Sequence, residues 1–200
     1  KTVEQTRKLV ESDEVFAIYQ VVGTPGNSAI HKYLNQKGVP QIFIGSGASK
    51  WNDPKHFPWS IGWQPSYQSE ARIYARYIMK NYPGKTVGIL YQNDDFGKDY
   101  LTGLHEAFGK DRSKIIVSEV PFEVSSPTVD SQVVQIKGAN PDIFINIATP
   151  KFAAQAIKKI GEMKWSPVQF VTNVSVSVSS VMKAFCAGNA HFLRGKGRFP

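Results

Sequence analysis

Val15-Phe16-Ala17-Ile18-Tyr19-Gln20-Val21-Val22 runs directly into Gly23-Thr24-Pro25-Gly26-Asn27, and the reading of that junction decides the fold class. An almost unbroken apolar run of strand length suits a parallel strand buried on both faces. The Gly/Pro cluster breaks it. Ala29, Ile30, Tyr33 and Leu34 then recur at helical spacing, and Gly38 is placed to end that helix. A second short apolar run at 41–44 completes a strand, helix, strand unit. Upstream, 2–11 reads as a charged helix with Val3, Leu9 and Val10 on one side, and with Thr2 and Gln5 in the spacing of a capping box.

Beyond 44 the alternation pauses. Gly45-Ser46-Gly47-Ala48-Ser49 and the segment 50–65, rich in Pro and Trp, read as a loop and a crossover. It then resumes with a helix carrying Ala71, Tyr74, Ala75, Ile78 and Tyr82 and ended by Pro83-Gly84. A strand at 86–91, a loop at 92–96, a helix with Leu101, Leu104 and Phe108, and a strand at 115–122 follow. The last round is a helix at 130–137, a strand at 143–147, a helix started by Thr149-Pro150, and a strand at 169–172. Repeated alternation of this kind predicts an α/β fold, parallel sheets flanked by helices. The expected division is 1–64 and 65–182, with an atypical basic tail at 183–200.

Composition agrees with a folded chain, since 42% of the 200 residues are hydrophobic and 12% aromatic. The net charge of +8 comes from 24 scattered Lys and Arg with no run of five, which argues against a nucleic-acid partner. A single cysteine, Cys186, permits no internal disulfide, and no Cys or His spacing offers a metal site. No apolar run approaches the roughly 18 residues of a membrane helix.

In open parallel sheets ligands sit at the carboxyl ends of the strands. The loops there are 24–27, 45–51, 92–96, 148–149 and 173–177, and their residues are small, hydroxylated or aromatic. Catalytic readings fail on the residues. Pro83-Gly84-Lys85-Thr86 has Met79 where a phosphate loop needs glycine, and Gly45-Ser46-Gly47 has Lys50 where a dinucleotide fingerprint needs its third. A nucleophile elbow at Ser46 would need glycines at Ile44 and Ala48. The four histidines are far apart, and Asp94-Asp95 reads as an acidic turn capping the next helix. No enzyme activity and no cofactor are expected.

Taken together, Gly23 to Asn27, Val39-Pro40-Gln41-Ile42-Phe43-Ile44-Gly45-Ser46-Gly47-Ala48-Ser49, and Tyr91-Gln92-Asn93-Asp94-Asp95-Phe96-Gly97-Lys98-Asp99-Tyr100 resemble type I periplasmic binding proteins of the leucine and branched-chain amino acid kind. The resemblance implies two Rossmann-like lobes, both incomplete here because such proteins are about twice this length, closing on a small solute. It implies a periplasmic receptor that hands its solute to an ABC permease. A ligand-sensing domain of a regulator with the same fold is the alternative, and an α/β enzyme a more distant one. By resemblance the solute's carboxylate falls to Ser46, Gly47, Ala48 and Ser49, with Thr24 beside them, Phe96 as an aromatic wall, and Ala148, Thr149 and Asn173 at later strand ends. Amino-acid binders place a carboxylate near Asn173-Val174-Ser175 to pair with the ligand ammonium. None stands there in this chain, so an aromatic acid or an amide is as well suited as leucine.

Overall fold

The computed structural model describes residues 1–177 and 181; the basic stretch 183–200, with Cys186 and His191, lies outside the described residues. The chain forms α1 (Thr2–Glu11), β1 (Ile18–Tyr19), α2 (Thr24–Lys37), β2 (Gln41–Ile44) and β3 (Ser60–Gly62). It continues through α3 (Tyr67–Asn81), β4 (Val87–Gln92), α4 (Asp95–Phe108), α5 (Arg112–Ile115) and β5 (Ile116–Phe122). The last described elements are α6 (Asp130–Gly138), β6 (Ile143–Ile147), α7 (Pro150–Glu162) and β7 (Val168–Val171). Every strand pairing is parallel, in one sheet of order β1-β2-β3 and another of order β5-β4-β6-β7. This is the α/β architecture that the alternation predicts.

Two compact units emerge: Lys1–Ile73 together with Asp94–Ala107, and Tyr74–Asn93 together with the chain from Phe108 onward. In the second unit the central strands carry the core. Ile89, Leu90, Ile143, Phe144, Ile145 and Ile147 are inaccessible to solvent, as strands covered on both faces require. Val133 and Ile136 of α6 and Ala153, Ala156 and Ile160 of α7 pack onto Phe122 and Phe144 in one cluster. Each such aliphatic or aromatic side chain contributes about 1.5–3 kcal/mol by leaving water. Asp142 locks the strand entries: its carboxylate accepts from Thr86 N at 3.0 Å, Thr86 Oγ1 at 3.1 Å and Lys85 Nζ at 2.9 Å. Those bonds, led by the Thr86 amide, hold its carboxyl below the usual range.

The first unit departs from the sequence expectation in three places. The apolar run at 15–22 is not a strand covered on both faces. Only Ile18 and Tyr19 enter the ladder, Val22 adds an isolated bridge to Gly45, and Phe16, Tyr19 and Val22 are exposed. Gln20, at φ 47°, interrupts the extended backbone. The core here is smaller, with Ile18, Ile30 and Leu34 at its centre. Second, α1 turns Thr6 inward while Val3 and Leu9 face solvent, and its N-cap is Lys1 with no side-chain cap bond. Third, the crossover segment contains β3, whose Ser60 pairs with Gln41 beside β2. The expected helix stop at Gly38 holds, with φ 67° and its amide bonded to the carbonyls of Leu34 and Asn35.

Candidate functional site

The loop following β2 is built around one hydroxyl. Ser46 Oγ lies 2.7 Å from Thr24 Oγ1, accepts from Trp51 Nε1 at 2.9 Å and from Ala48 N at 3.3 Å. All four residues are buried. Thr24 and Ser46 therefore bond to each other and to the loop's own frame, and they shape the loop from beneath. Gly47 is required by close approach: a Cβ there would stand 2.4 Å from Pro65 O and 2.7 Å from a Tyr67 ring carbon. The Gly47 carbonyl accepts from Tyr67 N at 2.7 Å, tying the loop to the start of α3.

Ser49, two residues on, opens a short 3₁₀ turn and stands only partly buried. Its backbone N–H and its hydroxyl both donate to a single oxygen, Asp99 Oδ2, each at 3.0 Å. Gln68 Nε2 donates to the other oxygen of the same carboxylate at 2.8 Å, and Ser66 Oγ lies 3.1 Å from Ser49 Oγ. Three donors thus converge on the Asp99 carboxylate, and charge-assisted bonds of this kind are roughly twice as strong as neutral ones. Beside it Lys50 Nζ donates to Asp95 Oδ2 at 2.8 Å and to Ser28 Oγ at 3.1 Å. The Lys50 ammonium, seconded by the Ser28 hydroxyl, holds the Asp95 carboxyl below the usual range against the opposing effect of burial. A groove of about 290 Å³ runs along this surface, lined by Ala48, Ser49 and Lys50 from the loop and by Asp95, Lys98 and Asp99 from α4.

Phe96 is buried, packed edge-on against Tyr67 at 5.1 Å and against Tyr100 of its own helix at 5.5 Å. Asp94 caps α4 as the sequence suggests, accepting from Phe96 N at 2.9 Å and Gly97 N at 3.3 Å. In the second unit the strand ends are stitched together. Thr149 Oγ1 donates to Gln92 Oε1 at 3.1 Å, and Ser175 Oγ donates to the Ala148 carbonyl at 2.6 Å. Asn173, itself exposed, opens a 3₁₀ turn after β7 in which Ser175 is buried. Thr24, Ser46, Gly47, Ala48, Ser49 and Phe96 thus fall in the first unit, and Ala148, Thr149 and Asn173 in the second.

Sequence reasoning passed over Asp99, Gln68 and Lys50 as site residues, and read Asp95 only as part of a capping turn. An acid one turn inside a helix reads as a solvated residue, and its pairing with Ser49 spans fifty positions. The signal available was position: α4 begins at a strand end, so acids in its first two turns belonged on the list of ligand-side groups. His31 is buried against Phe57 at 4.0 Å and Trp51 at 5.0 Å, with its Nε2 unpaired. Among the described residues no cluster of three metal-ligating side chains occurs.

The fold is one of parallel α/β units, with a strand-end loop after β2 that holds the Asp99 carboxylate. The chain belongs to the periplasmic binding protein family, whose sequence profile matches residues 1–189. Its structural neighbours are of the type I, leucine and branched-chain-binding kind, solute-binding proteins rather than enzymes. A substrate-binding periplasmic protein from Ralstonia solanacearum superposes with a TM-score of 0.82 at 22% identity, over 94% of this chain and 52% of that one. A solute-binding protein of an ABC transporter from R. palustris, solved with 4-hydroxybenzoate, gives 0.79 at 16% identity, over 94% of this chain and 51% of that one. The leucine-binding protein of Thermotoga maritima gives 0.79 at 12% identity, over 92% and 51%. The chain therefore spans about half the length of these solved relatives. None of the curated proteins matches it.

Proposed function

We propose that this chain supplies the solute-holding part of an extracytoplasmic receptor that binds a small carboxylate-bearing solute and passes it, in the periplasm, to the permease of an ABC importer. The observation that carries this reading is the convergence of Ser49 N–H and Ser49 Oγ on one carboxylate oxygen. A loop built to hold one carboxylate is chemically suited to another, and backbone amides at a turn favour anions without needing a cation. Ser49 makes the direct contact; Gly47 and Ala48 set the loop's path, and Thr24 and Ser46 brace it from below. Phe96 belongs to the aromatic packing behind the groove. Ala148, Thr149 and Asn173 are the second unit's own candidate contacts.

Family membership supports the receptor role, and the solved neighbours carrying benzoates or named for leucine support a carboxylate as the common feature of the solute. An aromatic acid or an amide suits the chain as well as leucine does, because no acid stands near Asn173-Val174-Ser175 to neutralise an amino acid's ammonium. The reading is tested by thermal shift of this chain against benzoate, 4-hydroxybenzoate, leucine and benzamide. A ligand that binds only the folded state must raise Tm. An acid that stabilises the chain, with the shift reduced in Ser49→Ala, supports the receptor. A chain that ignores every acid but responds to a nucleotide cofactor would end it.

A further inference from the structure

Ser49 has only one backbone N–H and one hydroxyl, and both are committed to Asp99. We infer that Asp99 is a resident carboxylate occupying the solute's own place, and that a solute carboxylate reaches Ser49 only by displacing it. This rests on the receptor reading above.

Three features make the occupancy specific. Asp99 is held at both oxygens, by Ser49 on Oδ2 and by Gln68 on Oδ1, so it is positioned rather than passing by. Its helix is held against α3 at a distance only glycine allows, since a Cβ on Gly103 would stand 2.5 Å from Gln68 O. The same residue, Gln68, thus fixes both the helix and the carboxylate. Finally, the groove offers the displaced group a destination: Lys98 lines it beside Asp99, and Ser66 Oγ at 3.1 Å remains as a neutral partner for Ser49.

The consequence is a filter. An incoming acid must exchange for a like charge that stays close by, so a weakly held or doubly charged acid is excluded, and a monoacid with enough apolar body to compensate is admitted. The apparent affinity of the loop equals its intrinsic affinity reduced by the fraction of time that Asp99 is away.

The test uses the whole chain with benzoate as probe, and 4-hydroxybenzoate and leucine in parallel, in calorimetric titrations of the wild type, Asp99→Ala, Asp99→Asn and the double variant Asp99→Ala/Ser49→Ala. Circular dichroism checks that each is folded, and the near-isosteric Asn variant serves if the Ala variant is not. Removing the resident charge tightens benzoate binding by about tenfold if the free loop is open roughly a tenth of the time. Asp99→Asn shows a smaller gain, and the added Ser49→Ala change erases it. Amide hydrogen exchange at Ser49, slow in the wild type, accelerates in Asp99→Ala. If the wild type binds benzoate through Ser49 but neither Asp99 variant binds more tightly, the competition is disproved and the receptor stands. If no variant, wild type included, binds benzoate, 4-hydroxybenzoate or leucine, the receptor reading falls and the competition with it.

Discussion

His31 is the residue where burial and charge most clearly oppose function-like chemistry. Its ring stacks on Phe57 and meets Trp51 edge-on, and desolvation lowers its pKa below 6.5, with the nearby Lys50 ammonium adding to the effect and Asp53 opposing it. A base whose folded pKa is depressed binds fewer protons folded than unfolded, so stability rises with pH through the window between the folded value and 6.5. The chain is therefore expected to lose stability as pH falls through 6.5 toward the folded value of His31, in a region where few other side chains change charge. His31→Gln should flatten that decline in urea midpoints; an unchanged slope would mean that His31 titrates freely. Asp95 and Asp142 act in a separate window. Their carboxyls sit below 3.8, so the stability they contribute is present above that value and lost as pH falls through their folded pKa. Gly47 makes a steric prediction at the same scale. Its missing Cβ leaves room for Pro65 O and the Tyr67 ring, neither able to yield cheaply, so Gly47→Ala should cost about 1–3 kcal/mol by overcrowding. A stability equal to wild type by denaturant titration would show that the loop can relax.

Among elements, the pairing of α3 and α4 gives a prediction in which two effects have opposite sign. Alanine is a better helix former than glycine by about 1 kcal/mol, so propensity alone would have Gly103→Ala stabilise α4. The Cβ would meet Gln68 O at 2.5 Å and Ala71 Cβ at 2.9 Å, and crowding against backbone should win. The expected result is a net loss of about 1–2 kcal/mol, with faster exchange at the Ser49 amide because Asp99 moves with its helix. A stabilised variant would refute the tight packing. Elements were also the level at which the sequence spoke most clearly. β4, β6, α2 and α7 were legible because apolar residues recurred at the period of each element and Gly or Thr-Pro marked the ends. β3 was hidden, since Ser60–Gly62 has three residues and too little pattern to separate from its Trp and Pro neighbours. The run at 15–22 misled for another reason: apolar character reports what would be buried if something covered it, and does not name the cover. The candidate site was legible as a loop, because strand ends follow from the alternation. Its partners were not, because Ser46 with Thr24 and Ser49 with Asp99 are contacts across the sequence that no local pattern encodes.

At the scale of the whole chain, the two units differ in how completely their sheets are covered. In the four-stranded sheet Leu90, Phe122 and Phe144 pack with α6 and α7 in one cluster, and the central strands are inaccessible. The three-stranded sheet leaves a row of aromatics in solvent: Tyr19 meets Phe43 edge-on at 5.9 Å, and Phe43 meets Trp63 at 5.5 Å. Tyr19 is 62% and Trp63 60% exposed, and Phe16, Val22 and Ile61 add further open apolar surface in the same unit. Contiguous patches of this kind mark binding surfaces or aggregation hazards, whereas scattered apolar residues are ordinary. Edge-to-face contact among three rings also gives the row a fixed shape in water, worth about 0.5–1.5 kcal/mol per pair beyond burial. The folded chain is therefore expected to enhance the fluorescence of an apolar dye such as ANS at neutral pH while its near-ultraviolet dichroism remains native, which separates a structured patch from a molten state. Trp63→Ser together with Tyr19→Ser should remove most of that enhancement and raise the concentration at which the chain stays monodisperse, with a loss in Tm set by the two edge-to-face contacts removed and not by burial. Dye binding that survives both substitutions would locate the exposed apolar surface elsewhere, and dye binding that appears only with loss of the near-ultraviolet signal would mean that the first unit, with its smaller core, opens before the second.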